Sequence, residues 1–283
     1  MKYIFFGTPD FAAVILEKLI KAGFVPEAVV CNPDKPVGRK KIITPPATKI
    51  SAQKYNIPVL QPEILANYKF PALSAGRQIP NSKFDFFIVA AYAKIIPEEI
   101  LNVPRLGVIG VHPSLLPKYR GPSPVQSFIL NGEAETGATL FLADEKADHG
   151  KIISSVKYQV SSSDNYEFLN KKLAELGADL LVEALPKFIK GEINPLFQDE
   201  SQATYTKKFK TENGYVDLSK DEPAAIERKI RALNPEPGVW TMMEIKSEKK
   251  RVKLLESELV DGRLKLTKIQ VEGGKPQDIC RII

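Results

Sequence analysis

Apolar positions along the first 190 residues fall into two alternating patterns. KYIFFG is a short continuous apolar run, and DFAAVILEKLIKAG after it repeats its apolar residues every three or four positions. Together they predict a buried strand and an amphipathic helix, with Asp10 as N-cap and Gly23 as the stop. EAVVCN predicts a second strand. PDKPVGRKKIITPP follows without period, and ATKISAQKYN and PVLQP predict a helix and a short strand. FDFFIVAAYA is the kind of run buried on both faces of a parallel sheet. GVIGVH predicts the next strand, PSPVQSFILNG a helix, and TGATLFLAD and KIISSVKYQV two strands around the EKADHG turn. NYEFLNKKLAELGADLLVEALPKFIKG is helical as far as Gly191. This β–α alternation over residues 1–190 predicts an α/β, doubly wound domain with a mostly parallel sheet. GEINPLFQDESQA has no period, which makes 191–203 a linker. The helical PAAIERKIRAL and the alternating RVKLLESEL and GRLKLTKIQVE then predict a small, shortened, β-barrel-like C-terminal domain over 204–283.

A length of 283 residues suits two such domains. No apolar run reaches the roughly 18 residues of a membrane span. Gly7, Thr8, Pro9 and Asp10 interrupt the first apolar run before it could serve as a secretory signal. The two cysteines, Cys31 and Cys280, lie at opposite ends of the chain, as expected of a protein in a reducing cytoplasm. The net charge of +6 points towards a polyanionic partner only where it is concentrated. Lys35, Arg39, Lys40 and Lys41 are so concentrated, in a segment that Pro33, Pro36, Pro45 and Pro46 keep irregular.

Dinucleotide chemistry is disfavoured, because the first strand–helix turn, FFGTPDFAAV, has one glycine where a pyrophosphate loop needs three. His112, one of two histidines, closes a predicted parallel strand at its carboxyl end, where open α/β sheets bind ligands. The loop after it, PSLLPKYRGPSP, is too rich in proline for helix or strand. Asp144 and Asp148 flank the turn ending at Gly150; an aspartate there can cap backbone, but set against an imidazole it makes a general acid–base pair. His149 reads as a solvated turn residue. Two histidines without a supporting cysteine cluster leave no metal site.

The stretches FFGTPDFA, NPDKPVGRKKIITPP, IPVLQPE, VAAYAKIIPEEIL, VHPSLLPKYRGPSPVQ and NGEAETGATLFLADEKADHGKI resemble the methionyl-tRNA formyltransferase family. The resemblance continues through TYTKKFKTENGYVDLSK and IRALNPEPGVWT and covers residues 1–245. It implies formyl transfer from 10-formyltetrahydrofolate to the α-amine of methionyl initiator tRNA by a monomer, without metal or membrane. By the same resemblance His112 and Asp148 are catalytic, Ser114, Leu115, Leu116 and Pro117 form the folate-binding loop, and Arg39, with Lys40 and Lys41 beside it, grips the tRNA acceptor end. Gly110 departs from the pattern by standing where the family carries an asparagine. Residues 110 and 112 of a strand share a face, so the expectation is a hole beside His112 and a slow enzyme. Formylation of another amine, such as an amino sugar, and a non-catalytic folate- or tRNA-binding role are the alternative readings.

Overall fold

The computed structural model describes the chain except for residues 39, 67, 69–83 and 246. It divides into two compact units. The first holds Met1–Arg120, Thr136–Tyr158 and Asn170–Tyr205; the second holds Gly121–Glu135, Gln159–Leu169 and Thr206–Ile283. The unpatterned segment 191–203 therefore belongs to the first unit, where Leu196 pairs by its backbone with Ile152.

The first unit is built on β1 (Tyr3–Gly7), β2 (Ala28–Val30), β5 (Val59–Leu60), β6 (Phe86–Ala90), β7 (Val108–His112), β8 (Glu135–Leu142) and β9 (Ile152–Gln159), in the order β5-β2-β1-β6-β7-β8-β9. The pairings from β5 to β7 are parallel, and β8 lies antiparallel to β7. Ile4, Phe6, Phe87 and Val108 pack with Val30 and Ile100 in a core on one face. Helices α1 (Asp10–Lys21), α2 (Ala47–Lys54) and α5 (Tyr166–Ile189) form where the sequence predicts them. In α5, Gly177 brings the backbone down onto Val111, where a Cβ would stand 2.7 Å from its side chain. That approach fixes which face of β7 is covered: Val111 points at α5, so residues 110 and 112 point the other way.

Two local expectations are corrected. The N-cap of α1 is Pro9, with Asp10 as the first helical residue; proline lacks the N–H, and Asp10 still places a negative charge in the first turn. The segment expected to be irregular contains a short hairpin, β3 (Lys35–Val37) and β4 (Ile42–Thr44), whose residues are all exposed. Pro36 is tolerated there because a two-stranded ribbon has a free edge.

The second unit contains α4 (Pro124–Asn131), α6 (Pro223–Leu233) and an antiparallel meander of β10 (Val239–Ile245), β11 (Glu248–Val260), β12 (Arg263–Val271) and β13 (Gln277–Ile282). The small C-terminal β domain thus takes the form of a four-stranded antiparallel sheet. Val239, Val252, Leu254, Leu264 and Leu266 are buried, and α6 turns Ile226, Ile230 and Leu233 inward. A short α3 (Glu98–Leu101) in the first unit completes the α-helices of the described residues. Among those residues no helix is long and apolar enough to cross a membrane.

Candidate active site

The chain enters β2 and β5 on one side of β1 and returns to β6 on the other. Loops after the strands next to such a reversal form the usual ligand crevice of an open α/β sheet. His112 ends β7, the strand beside β6, and is 5% exposed. Its Nε2 lies 2.8 Å from the carbonyl of Tyr119. A carbonyl can only accept, so Nε2 carries the hydrogen and Nδ1 is the nitrogen left for chemistry. Asp148 Oδ2 stands 3.6 Å from that Nδ1. The structure therefore brings together the two residues expected to act as an acid–base pair, although they are 36 positions apart in the chain.

Asp148 sits in the turn between β8 and β9 with φ 51°, a left-handed conformation uncommon outside glycine, asparagine and aspartate. Gly150, two residues on, passes so close to the carbonyl of Leu142 that a Cβ would overlap it. The glycine of the DHG motif is there for that close approach. His149 differs from expectation: its Nδ1 is 2.6 Å from Asp144 Oδ2 and its Nε2 is 3.6 Å from Glu200. It is a hydrogen-bonded turn residue that keeps part of its ring in solvent, and Asp144 also accepts from the Lys146 amide.

The loop Ser114, Leu115, Leu116 and Pro117 runs beside His112 on the β8 side. Thr139 stands opposite His112 in the strand register; its hydroxyl donates to the Ser114 carbonyl at 2.7 Å and accepts the Leu116 amide at 3.2 Å. Ser114 Oγ donates to the Lys118 carbonyl at 2.6 Å. Leu116 is buried, and Leu115, half-buried, lies over Gly137, where a Cβ would come within 2.6 Å of it. The loop's shape is thus fixed by hydroxyl side chains bonded to its backbone, and its leucines are turned in part onto the sheet.

Gly110 requires a correction. Across the strand pair its partner is Phe141, and directly opposite residues in an antiparallel pair share a face. A Cβ on residue 110 would lie 3.0 Å from Phe141 Cδ1 and closer still to Cε1 and Cζ. The space expected to be a hole is filled by the Phe141 ring, which is 5% exposed. Nothing in the spacing of the sequence revealed this exchange, because it depends on the register between two strands about 30 residues apart.

Lys40 and Lys41 lie at the exposed turn between β3 and β4, not on the loop that follows His112; Arg39 lies outside the described residues. The single glycine of the first turn, Gly7, has a packing role, since a Cβ there would meet Ala12 and the carbonyl of Ala90. Among the described residues no group of histidines, cysteines and carboxylates could hold a metal ion. A cavity of about 1070 Å³ in the second unit, lined among others by Arg228, Arg231 and Ser257, contains neither His112 nor Asp148. Its Arg231 is already occupied by Glu227 and the Asp164 carbonyl.

Residues that spacing and pattern did not single out surround the pair. Arg120 is fully buried; its guanidinium donates to both carboxylate oxygens of Glu200, to Gln198 Oε1 and to the Tyr205 hydroxyl. Arg120 holds the Glu200 carboxyl below its ordinary pKa, and Glu200 raises that of Arg120 in turn. The polar run QDE at 198–200 inside an otherwise unpatterned segment was the one available signal.

The family model for the formyl transferases matches residues 1–185, and that for their C-terminal domain matches residues 208–265. The chain is 42% identical to a methionyl-tRNA formyltransferase of Enterococcus faecalis, over 85% of this chain and 75% of the relative. It is 40% identical to one of Halalkalibacterium halodurans, over 86% and 74%. Among solved structures, an N-formyltransferase from Helicobacter canadensis, in complex with folinic acid and dTDP-3-aminofucose, superposes with a TM-score of 0.63 at 20% identity. That likeness, over 99% of this chain and all of the other, is one of fold. With both domains matched and relatives at this identity along most of its length, the protein belongs to the methionyl-tRNA formyltransferase family.

Proposed function

We propose that the protein transfers the formyl group of 10-formyltetrahydrofolate to the α-amine of methionyl initiator tRNA, as a cytoplasmic monomer. The observation that carries this reading is His112 Nδ1 facing Asp148 at the mouth of the parallel sheet, in a chain about 40% identical to enzymes of that name. The folate named with the Helicobacter canadensis structure supports a folate donor, with Ser114, Leu115, Leu116 and Pro117 as its loop. The neutral amine attacks the formyl carbon, and the carbonyl oxygen becomes an oxyanion. Protonated His112, with Nε2–H spent on Tyr119, offers Nδ1–H to that oxygen. Asp148 stabilises the imidazolium and accepts the proton released by the attacking nitrogen; the proton ends on N10 of the folate as the C–N10 bond breaks. One proton moves from amine to N10, so the transfer balances.

The Phe141 ring in place of a side chain at Gly110 leaves the oxyanion without an amide donor from that position, which favours a slow enzyme. Lys40 and Lys41, with Arg39, are proposed to meet the tRNA acceptor end from the exposed hairpin, which also presents Val37, Ile42 and Ile43 to solvent. The test is a formyl-transfer assay with purified methionyl initiator tRNA and 10-formyltetrahydrofolate, run beside a nucleotide-linked amino sugar. Formyl-methionyl-tRNA without formylated sugar is the expected product. Sugar formylation, or folate binding with no turnover on either amine, would overturn the proposal.

A further inference from the structure

Asp148 of the acid–base pair and Tyr119, which orients His112, hold left-handed backbone without being glycine, at φ 51° and φ 62°. Such conformations are strained for a residue with a side chain and persist where the surroundings over-determine them. In both cases the holding groups come from one stretch, residues 198–205. Thr204 Oγ1 accepts the Tyr119 amide at 2.8 Å, and the Thr204 carbonyl accepts the Arg120 amide at 2.9 Å. Tyr119 in turn presents the carbonyl that orients His112. On the other side, Gln198 Nε2 donates to the carbonyl of Asp148 at 2.9 Å and to that of Gly150 at 2.8 Å. Gln198 cannot turn away, because its Oε1 accepts from Arg120 Nε at 3.1 Å and Nη2 at 2.8 Å. Arg120 is itself locked by Glu200 and Tyr205.

We infer that Gln198 is a positioning residue of the reaction: its amide clamps the backbone on both sides of His149 and so keeps the Asp148 carboxylate facing His112 Nδ1. The inference rests on the function proposed above and adds to it a residue outside the reacting atoms. The orientation of the amide is dictated by its partners. Arg120 only donates and the two backbone carbonyls only accept, so a single assignment of Oε1 and Nε2 satisfies all four bonds. A misplacement of about 1 Å in a catalytic group can cost on the order of 10²-fold in rate, so loss of the clamp is read directly in turnover.

Two substitutions separate positioning from folding. Gln198→Glu keeps an oxygen for Arg120 but presents a second oxygen, instead of N–H, to the carbonyls of Asp148 and Gly150. Gln198→Met keeps the length and removes both functions. Both variants are expected to lose roughly 10²-fold in kcat with KM for folate nearly unchanged, while only Gln198→Met melts at a clearly lower temperature. In an Asp148→Asn background neither should slow the enzyme further by more than about twofold, since residues acting as a unit are not additive. A Gln198→Glu variant with wild-type kcat, or an equal loss in the Asp148→Asn background, would overturn the inference. Crystal structures of the wild type and Gln198→Glu give a readout that needs no activity. Asp148 leaving the left-handed region and withdrawing from His112 supports the clamp, and an unchanged separation refutes it even if the wild type formylates no tRNA.

Discussion

On its Asp148 flank His112 meets the Asp148 carboxylate, and the backbone carbonyl of that residue is held in turn by Gln198, Arg120 and Glu200 in series. On its Gly110 flank the strand carries no side chain, and the Phe141 ring fills the space where one would stand. Both flanks border the same imidazole, yet only one can move protons or present dipoles. The two halves of an acyl-transfer site can therefore be maintained separately. In the proposed reaction proton transfer needs a positioned base and acid, and His112 Nδ1 and Asp148 Oδ2 stand 3.6 Å apart. Oxyanion stabilisation needs donors aimed at the developing charge, and the strand beside His112 supplies none from position 110.

The polar flank carries the larger effects. Asp148→Asn should lower single-turnover formyl transfer by about 10²–10⁴-fold, the range of a positioned proton-transfer group, with folate affinity nearly unchanged; retention of most activity would remove Asp148 from the mechanism. Gly110→Asn alone probes the other flank. It drives a side chain into the Phe141 ring, so urea denaturation should show a loss of about 1–3 kcal/mol, as for other overpacked sites, without faster turnover. Unchanged stability would mean that the ring swings aside freely and that the apolar flank is not fixed.

A third experiment lies away from both flanks. Alanine at Lys40 and Lys41 should reduce the salt dependence of tRNA binding by roughly 0.7 of a log–log slope unit for each phosphate no longer neutralised, leaving single-turnover chemistry at saturating tRNA intact. An unchanged slope would reduce the hairpin to ordinary surface. The smallest change concerns Glu200. Its folded pKa is held below the ordinary glutamate value of about 4.3 by Arg120. Its contribution to stability is therefore complete above that value and is lost as the pH falls through the lower, folded one. Glu200→Gln should flatten the acid limb of stability below about pH 4, a modest change for a carboxylate that is half-exposed. An acid limb identical to wild type would show that the Arg120 clamp does not depend on this charge.

The strands and helices around the site were legible because their apolar period follows directly from burial. FDFFIVAAYA is a run of the kind buried inside a parallel sheet, and GVIGVH placed His112 at a strand's carboxyl end. The pairing of His112 with Asp148 came through family resemblance, since no spacing rule joins residues 112 and 148. Segment 191–203 reads as a linker in the sequence because its contribution is made by single polar side chains, Gln198 and Glu200, rather than by a repeated apolar face. The β3–β4 hairpin was hidden for a related reason: both of its faces are exposed, so no burial pattern marks it. Gly110 was legible as a departure but its consequence was not. Whether a missing side chain leaves a void depends on what the neighbouring strand places opposite, and the register of β7 on β8 is a tertiary fact.

The apolar flank is tested most directly by restoring an amide while making room for it. The turnover number of Gly110→Asn/Phe141→Ala should be compared with those of the wild type and of both single variants, in saturating folate and methionyl-tRNA. The expected result is a rise of at least about 10-fold in the double variant only, a cautious share of the 10²–10³ that one oxyanion donor commonly contributes. A double variant that stays folded and turns over no faster than the wild type would contradict the claim that the Gly110–Phe141 exchange is what limits this site.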